Sequence, residues 1–281
     1  MGLLGIAFAL LTPNLWALSD LGLKFCLKKE SWWKILVLAQ LFGGIFMLAV
    51  SLLAGENLSF PIEWIGWVIL LSLIALVATA AYYRAMDERE MALASPICNS
   101  WGIVTILLGV LFLGEAVNPM QWAAILLIMG GVFAISLKKG AKLEFDISLA
   151  HAVVSMLFWG MFFFLLKLPG EVVGAAFIIA IAKLLTGTLI FPMLSRKGIS
   201  IRDTALSSIA LIALMGALDA GGFLAYLLAI NELPLYLVAP IASAVPVLGV
   251  LLGVLVLKER PGRLQALGIV CAIAGTIILA L

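Results

Sequence analysis

The chain has 281 residues, of which 65% are hydrophobic and only 11% are charged, with 17 Lys and Arg against 15 Asp and Glu. Soluble domains carry about 25% charged residues, and a chain of this length cannot bury so large an apolar excess in one core. A net charge of +2 gives no support to a basic nucleic-acid-binding protein or a charged, disordered chain. The composition therefore predicts an integral membrane protein with little mass outside the bilayer.

Apolar stretches separated by charged, Gly and Pro residues predict ten membrane-spanning helices. In chain order they cover residues 2–24, 34–54, 63–83, 91–113, 120–137, 148–168, 172–194, 205–229, 235–257 and 264–281. The longest connector lies near the midpoint and predicts two halves, residues 1–140 and 141–281. The first stretch has no basic segment before it, so we expect a retained span rather than a cleaved signal. The expected location is the cell membrane, inner or plasma.

Basic residues collect on one side of the predicted bundle. The connectors after helices 1, 3, 5, 7 and 9, with the adjoining helix ends, carry fifteen Lys and Arg. We call this side the basic face. The opposite face carries only Lys167, and Lys183 lies within a span. Because short cytoplasmic loops are rich in Lys and Arg, the count assigns the basic face to the cytoplasm and both termini to the outside.

The two halves repeat one another. Residues 80–131 align without a gap to residues 224–275 at an offset of 144, and further upstream the offset is 143. The matched pairs include Trp16 with Trp159, Lys24 with Lys167, Tyr82 with Tyr226, Pro96 with Pro240, and Glu115 with Glu259. Each repeat has five helices, so the second must cross the membrane inverted. The sequence thus predicts an all-α membrane protein of two inverted five-helix repeats, an architecture found in many secondary transporters.

The same motif stands in both halves. It consists of Ala94-Ser95-Pro96 or Val238-Ala239-Pro240, then Leu113-Gly114-Glu115 or Leu257-Lys258-Glu259, then Gln121 or Gln265. We expect these Glu and Gln side chains to satisfy backbone donors at the turn before the next helix. The ordered set resembles the EamA-type ten-helix members of the drug/metabolite transporter superfamily. The resemblance implies a transporter of small organic solutes, a central cavity between the halves, and cytoplasmic termini, opposite to the charge count.

Two ionisable residues lie at similar depth near the bilayer midplane, Lys183 in helix 7 and Asp219 in helix 8. Such residues are costly within a span and are candidates for function. Two interpretations stay open: a substrate-binding or proton-exchanging pair, and a structural ion pair. We interpret Asp20 and Lys24, four residues apart, as a neutralised helix end. Lys167 is expected to snorkel to the interface, and the single His151 to be an interfacial polar residue.

Three tryptophans, Trp16, Trp101 and Trp159, lie mid-span, away from the interfaces where tryptophans usually concentrate. They pack against lipid or form a cavity wall that holds a solute by its ring faces. The second interpretation predicts a substrate site on helices 1, 3, 4, 6, 8 and 9. Its residues are Trp16, Tyr82, Asn99, Trp101, Trp159 and Asp219, with Lys183 adjacent. Pro96, Pro240 and Pro246 interrupt backbone hydrogen bonds in helices 4 and 9, and we interpret them as hinges.

The preferred function is a secondary-active, alternating-access transporter, an exporter or exchanger, of a small organic metabolite such as an amino acid or amine. A proton or another ion is the candidate coupling partner. The alternative is a multidrug carrier of hydrophobic cations. An intramembrane enzyme is disfavoured by the single His and the absence of a His-Glu-x-x-His motif, and a channel by the absence of a filter-like loop. We expect no cofactor, metal or nucleic acid, and a monomer in lipid; Gly249 and Gly253 form either an internal packing face or a dimer contact.

Overall fold

The structure is a computed structural model that describes residues 2–56, 58, 62–88, 97–136, 147–167, 174–249, 251 and 262–280. Within these ranges the chain forms ten α-helices and no strand, so the all-helical prediction is confirmed. The helices are α1 (Leu3–Leu27), α2 (Trp32–Leu53), α3 (Ile65–Glu88), α4 (Trp101–Leu113), α5 (Pro119–Ser136), α6 (Ile147–Leu165), α7 (Ala175–Arg196), α8 (Leu206–Glu232), α9 (Leu235–Ala242) and α10 (Arg263–Ala280). Pro96, Gly253, Glu259 and the predicted boundary between residues 140 and 141 lie outside the described residues.

Six of the helices, α1, α2, α3, α6, α7 and α8, are long and apolar enough to cross a membrane. The other four are apolar and shorter within the described ranges. Four helices run past their predicted ends: α1 ends at Leu27, α3 at Glu88, α7 at Arg196 and α8 at Glu232. The apolar pattern stops at the bilayer edge, but charged and polar residues such as Lys and Glu continue a helix readily, so hydropathy alone places these ends too early.

The ninth helix is interrupted, which differs from the predicted continuous span over residues 235–257. Helix α9 ends at Ala242, and residues 245–249 form a further helical segment. The interruption precedes Pro246, which has no backbone N–H to donate to the carbonyl of Ala242. The Ser243 hydroxyl donates a hydrogen bond to the Pro240 carbonyl oxygen at 3.0 Å. Pro240 and Pro246 thus lie on either side of the interruption at residues 243–244.

The two repeats interlock rather than forming separate bundles. The most extensive helix contacts join α5 to α10, α1 to α8, α2 to α7 and α3 to α6, and each pair takes one helix from either repeat. The pairs α1–α8 and α6–α3 are related by the repeat, since α1 corresponds to α6 and α8 to α3. The contact pattern therefore has the approximate two-fold symmetry that an inverted repeat requires.

Small residues allow this interlocking. In the α5–α10 contact, a Cβ atom at Gly131 would lie 2.6 Å from the carbonyl oxygen of Gly268. In the α2–α8 contact, a Cβ atom at Gly43 would lie 2.6 Å from the carbonyl oxygen of Gly216. The backbones touch directly at both places, which is how apolar helices gain packing energy where no hydrophobic effect drives them together.

Candidate functional site

A partly open cavity lies between α1, α2, α3, α6, α8 and residues 98–101 at the start of α4. All six residues of the predicted wall line it: Trp16, Tyr82, Asn99, Trp101, Trp159 and Asp219. About 590 Å³ of unoccupied space lies between its walls, the open mouth included. The centre of a water molecule can reach only about 60 Å³ of it, so a bulky solute would have to displace side chains.

Nine further residues line the cavity that were not predicted to do so: Ser19, Asp20, Leu23, Gln40, Thr79, Tyr83, Cys98, Phe163 and Phe223. Most of them lie on the same helical faces as the residues that were predicted to line the cavity. Ser19, Asp20 and Leu23 follow Trp16 at helical spacing, and Phe163 and Phe223 stand one turn beyond Trp159 and Asp219. Gln40 was detectable in another way, because it is the repeat counterpart of Lys183 at the offset of 143. Helix α2 thus contributes to the cavity, which was not predicted. Helix 9 was predicted to contribute, but none of its described residues lines the cavity.

Aromatic rings form one wall of the cavity. The Trp16 ring lies edge-on to the Trp101 ring with centroids 6.0 Å apart, and the centroids of the Phe163 and Trp101 rings are 4.1 Å apart. The Trp159 ring stacks on Phe163 at 5.5 Å. The Trp16 indole N–H donates a hydrogen bond to the carbonyl oxygen of Asp219 at 3.2 Å, which fixes the ring against α8. The mid-span tryptophans therefore face the interior of the bundle rather than lipid.

Lys183 and Asp219 form an ion pair with 2.6 Å between Nζ and Oδ2. Lys183 Nζ also donates to the Gln40 Oε1 atom at 3.4 Å and lies 4.5 Å from the centre of the Phe223 ring. The Lys183 side chain is 6% exposed, and the Asp219 side chain is 30% exposed. Asp219 faces the cavity, while Lys183 lines a smaller adjoining pocket. Asp219 is thus both the ion-pair partner of Lys183 and part of the cavity wall.

Asp20 does not behave as the neutralised helix end that its spacing from Lys24 suggested. Its carboxyl group lines the cavity and is hydrogen-bonded to the Tyr82 hydroxyl. Lys24 is exposed, and no ion pair joins Lys24 to Asp20 among the described residues. The residue lies deeper than its distance from the predicted helix end implied, because α1 continues to Leu27.

The remaining charged candidates lie outside the cavity. Lys167 was expected to snorkel, but its Nζ atom lies 3.7 Å from Glu115 Oε1. His151 stands in the first turns of α6 and does not line the cavity. No group of three His, Cys, Asp or Glu residues is placed to hold a metal ion among the residues that the structure describes.

Two glutamates join the repeats at the face opposite the basic one. Glu115 follows α4 and accepts hydrogen bonds from the backbone N–H groups of Leu235 and Tyr236 at 2.8 and 3.0 Å. Glu56 follows α2 and accepts from Ala176 and Phe177 at 3.1 and 2.9 Å. Each carboxylate caps the N-terminus of a helix in the other repeat, where the helix dipole favours negative charge. We call these contacts the Glu115 clasp and the Glu56 clasp.

The predicted role of Glu115 at its own turn was therefore wrong. That turn is capped by Asn118 and Gln121, whose backbone N–H groups donate to each other's side-chain oxygens at 3.0 and 2.9 Å. Gln265 takes the equivalent position in the first turn of α10, where its side-chain oxygen accepts from the Gly262 backbone N–H at 2.9 Å. The expectation for the glutamines is thus met, whereas Glu115 holds the start of α9.

The cavity lies toward the basic face. Its residues on α1 run from Trp16 toward the basic end, those on α3 lie just before Arg84, and those on α4 lie at its start. Toward the opposite face the space is filled by the fully buried Tyr226, whose ring contacts Trp16 and Trp101, and beyond it stands the Glu115 clasp. In this conformation one end of the path through the bundle is closed.

Ten apolar helices, arranged as two related repeats around a cavity with polar and aromatic walls, define a multi-pass membrane protein of the transporter type. The sequence pattern of the EamA-like transporter family matches the chain twice, at residues 3–137 and 147–281, so that the two matches start 144 positions apart. The chain belongs to the EamA-like transporter family. The two-repeat prediction and the resemblance are confirmed, and membership implies a small-molecule substrate and a position in a lipid bilayer.

Solved structures share this fold. One crystal structure of a protein superposes with a TM-score of 0.82 at 17% sequence identity, covering 98% of this chain and 95% of that chain. At this identity the likeness extends to the fold alone. No curated protein matches the sequence.

Proposed function

We propose that the chain is a secondary-active, alternating-access transporter that exports or exchanges a small organic metabolite such as an amino acid or amine. The observation that carries the proposal is the cavity lined by Trp16, Tyr82, Asn99, Trp101, Trp159 and Asp219, which lies toward one membrane face and is closed toward the other. A carrier must adopt such a one-sided state. An inverted repeat supplies the opposite state, because the two repeats can exchange conformations.

The helix contacts suggest which parts move. Helices α1, α8 and α9 contact one another on one side of the cavity, and on the other side α3 and α4 each pack against α6. Relative rotation of these two groups would widen one end of the cavity and narrow the other. The helix interruption between Pro240 and Pro246 is the proposed hinge among the described residues, and the closed end would open by release of the Glu115 clasp. If the basic face is cytoplasmic, the present conformation faces the cytoplasm.

A second candidate function is efflux of hydrophobic cations. It is favoured by the ring faces of Trp16, Trp101 and Trp159, which suit apolar solutes and attract positive charge. Both candidates use the same cavity and the same alternating-access cycle. They differ in the breadth of solutes accepted, which a transport screen measures directly.

The test is saturable transport by the purified chain in proteoliposomes. We expect counterflow of at least one labelled amino acid or amine, and we expect Trp159→Ala to lower its initial rate about tenfold or more, because the ring stacked on Phe163 forms part of the solute wall. Trp64→Ala is the matched control, since Trp64 lies in the short helix Ile62–Trp64 outside the cavity and should leave the rate unchanged. Equal rates in wild type and Trp159→Ala would remove the proposed site, and conductance without saturation would indicate a channel.

A further inference from the structure

The charged side chains around the cavity do not cancel. They are Asp20, Asp219 and Lys183 among the described residues. The 2.6 Å ion pair between Lys183 and Asp219 neutralises two of them. When ionised, Asp20 therefore leaves the cavity with one unbalanced negative charge, at a depth where a lone carboxylate is costly.

Asp20 has a partner, but not one that carries charge. Its carboxyl group is hydrogen-bonded to the Tyr82 hydroxyl, and it belongs to none of the ion pairs between described residues. The side chain is only partly buried, because it borders the open part of the cavity. A carboxylate that is reachable from the cavity and has no ion-pair partner among the described residues can pair with a cation that arrives from solution.

The wall beside Asp20 suits the rest of such a ligand. Trp16 precedes Asp20 by one helical turn on the same face of α1, and Trp101 and Trp159 lie on the facing helices. Aromatic ring faces attract positive charge and pack against apolar groups. The structure already holds one cation in this way, since Lys183 Nζ lies 4.5 Å from the centre of the Phe223 ring.

Building on the proposed transport function, we infer that the cavity takes monocationic organic amines, with the ammonium group paired to the Asp20 carboxylate and an apolar or aromatic body against Trp16 and Trp159. Asn99, Gln40 and Thr79 contribute hydrogen-bonding atoms to the same cavity and can serve a polar substituent. Organic anions of the same shape are excluded, because they would meet the Asp20 charge. Asp20 is thus the residue that determines the charge of the solute.

Three probes of one shape and different charge test the inference with the full chain in nanodiscs. They are 2-phenylethylamine, 2-phenylethanol and phenylacetate, and binding is followed by calorimetry. A charge-assisted hydrogen bond in a partly buried site corresponds to about tenfold or more in affinity. We therefore expect the amine to bind at least that much more tightly than the alcohol, and phenylacetate to bind more weakly than either. Equal affinities for amine and alcohol, or tighter binding of phenylacetate, would overturn the inference without any variant.

The variant Asp20→Asn locates the charge effect. We expect it to reduce amine affinity about tenfold or more and to leave the alcohol unchanged. Asp203→Asn, in the exposed connector before α8, is the matched control and should leave all three affinities unchanged. Unchanged amine affinity in Asp20→Asn would assign the cation to another group and overturn the inference.

The transport assay separates this inference from the proposed function. Saturable transport of some other solute, with no binding or transport of the amine, would overturn the amine site and leave the carrier in place. Tight binding of the amine through Asp20, without saturable transport of any solute, would support the amine site and contradict the carrier.

Discussion

Trp16 owes its position to a single glycine. A Cβ atom at Gly222 would lie 2.4 Å from the Trp16 Nε1 atom, so the indole ring packs directly on the backbone of α8. The same nitrogen donates a hydrogen bond to the Asp219 carbonyl oxygen at 3.2 Å. A methyl group at residue 222 would push the ring away from α8 and break this bond. The shape of the cavity therefore depends on a residue that does not line it.

We expect Gly222→Ala to raise the apparent KM for transport about tenfold, because small displacements of a positioning group cost that much or more. The measurement is the initial rate of counterflow against solute concentration. The neighbouring Gly221→Ala is the control, since its Cβ atom would meet Leu15 at an ordinary contact distance of 3.5 Å. Similar KM values in the two variants would mean that the Trp16 position does not affect solute binding.

Cavity-lining residues can be predicted from the sequence when their type is unusual in a membrane span, and not when their type is common there. Trp16, Trp159 and Asp219 stand out against an apolar background, and the structure brings them to one cavity. Phe163 and Phe223 do not stand out, because phenylalanine is common in such helices and only packing decides whether it faces lipid or the interior. Asp20 was misread because a charge near a predicted helix end is usually solvated, and the end of α1 was placed three residues too early.

At helix ends, contacts between residues close in the chain can be predicted from the sequence, whereas contacts between distant residues cannot. The cap formed by Asn118 and Gln121 is local, since its partners are three positions apart, and the sequence predicted the role of the glutamine. The Glu115 clasp joins residues 120 positions apart, so no local pattern reveals it. Only the packing of α4 against α9 places the carboxylate where the first N–H groups of α9 need an acceptor.

Loss of the Glu115 clasp should destabilise the fold. Glu115→Ala removes the acceptor for two backbone N–H groups and the partner of Lys167, and loss of a helix cap typically costs about 0.5–2 kcal/mol. We expect a decrease of this size in the free energy of unfolding, measured by titration of detergent micelles with sodium dodecyl sulfate. Glu63→Ala, an exposed residue before α3 on the same membrane face, should cause no comparable change. Equal stabilities for both variants would show that the clasp contributes nothing measurable.

The two sequence repeats are not two separate structural halves of the molecule. The predicted halves, residues 1–140 and 141–281, describe the duplication, but the extensive contacts run between them, as in α1–α8 and α5–α10. Two groups of helices that face each other across the cavity therefore each contain helices from both repeats. A periodic sequence reveals that two units are related, whereas their interlocking follows from small residues such as Gly131 and Gly268, whose partners are far apart in the chain.

The orientation of the molecule decides which compartment the cavity faces. Fifteen of the seventeen basic residues belong to the basic face, and the cavity lies toward that face. The positive-inside rule predicts a cytoplasmic basic face and external termini, while the family resemblance implies cytoplasmic termini. A loop between α7 and α8, which contains the exposed Gly198, lies on the basic face and offers a second attachment point for a reporter.

We expect a fluorescent protein to be dark at the C-terminus and bright when inserted in the loop after Gly198. The reason is that the fluorescent reporter folds in the cytoplasm and not in an oxidising exterior. A phosphatase reporter, which requires export, should give the reverse result at the same two positions. Paired reporters make each fusion the control of the other, since both positions belong to one chain with an odd number of helices between them. A bright C-terminus with a dark loop would contradict the charge count and mean that this conformation opens its cavity to the exterior. The proposed carrier would then be seen in the state that releases an exported solute rather than the state that captures it.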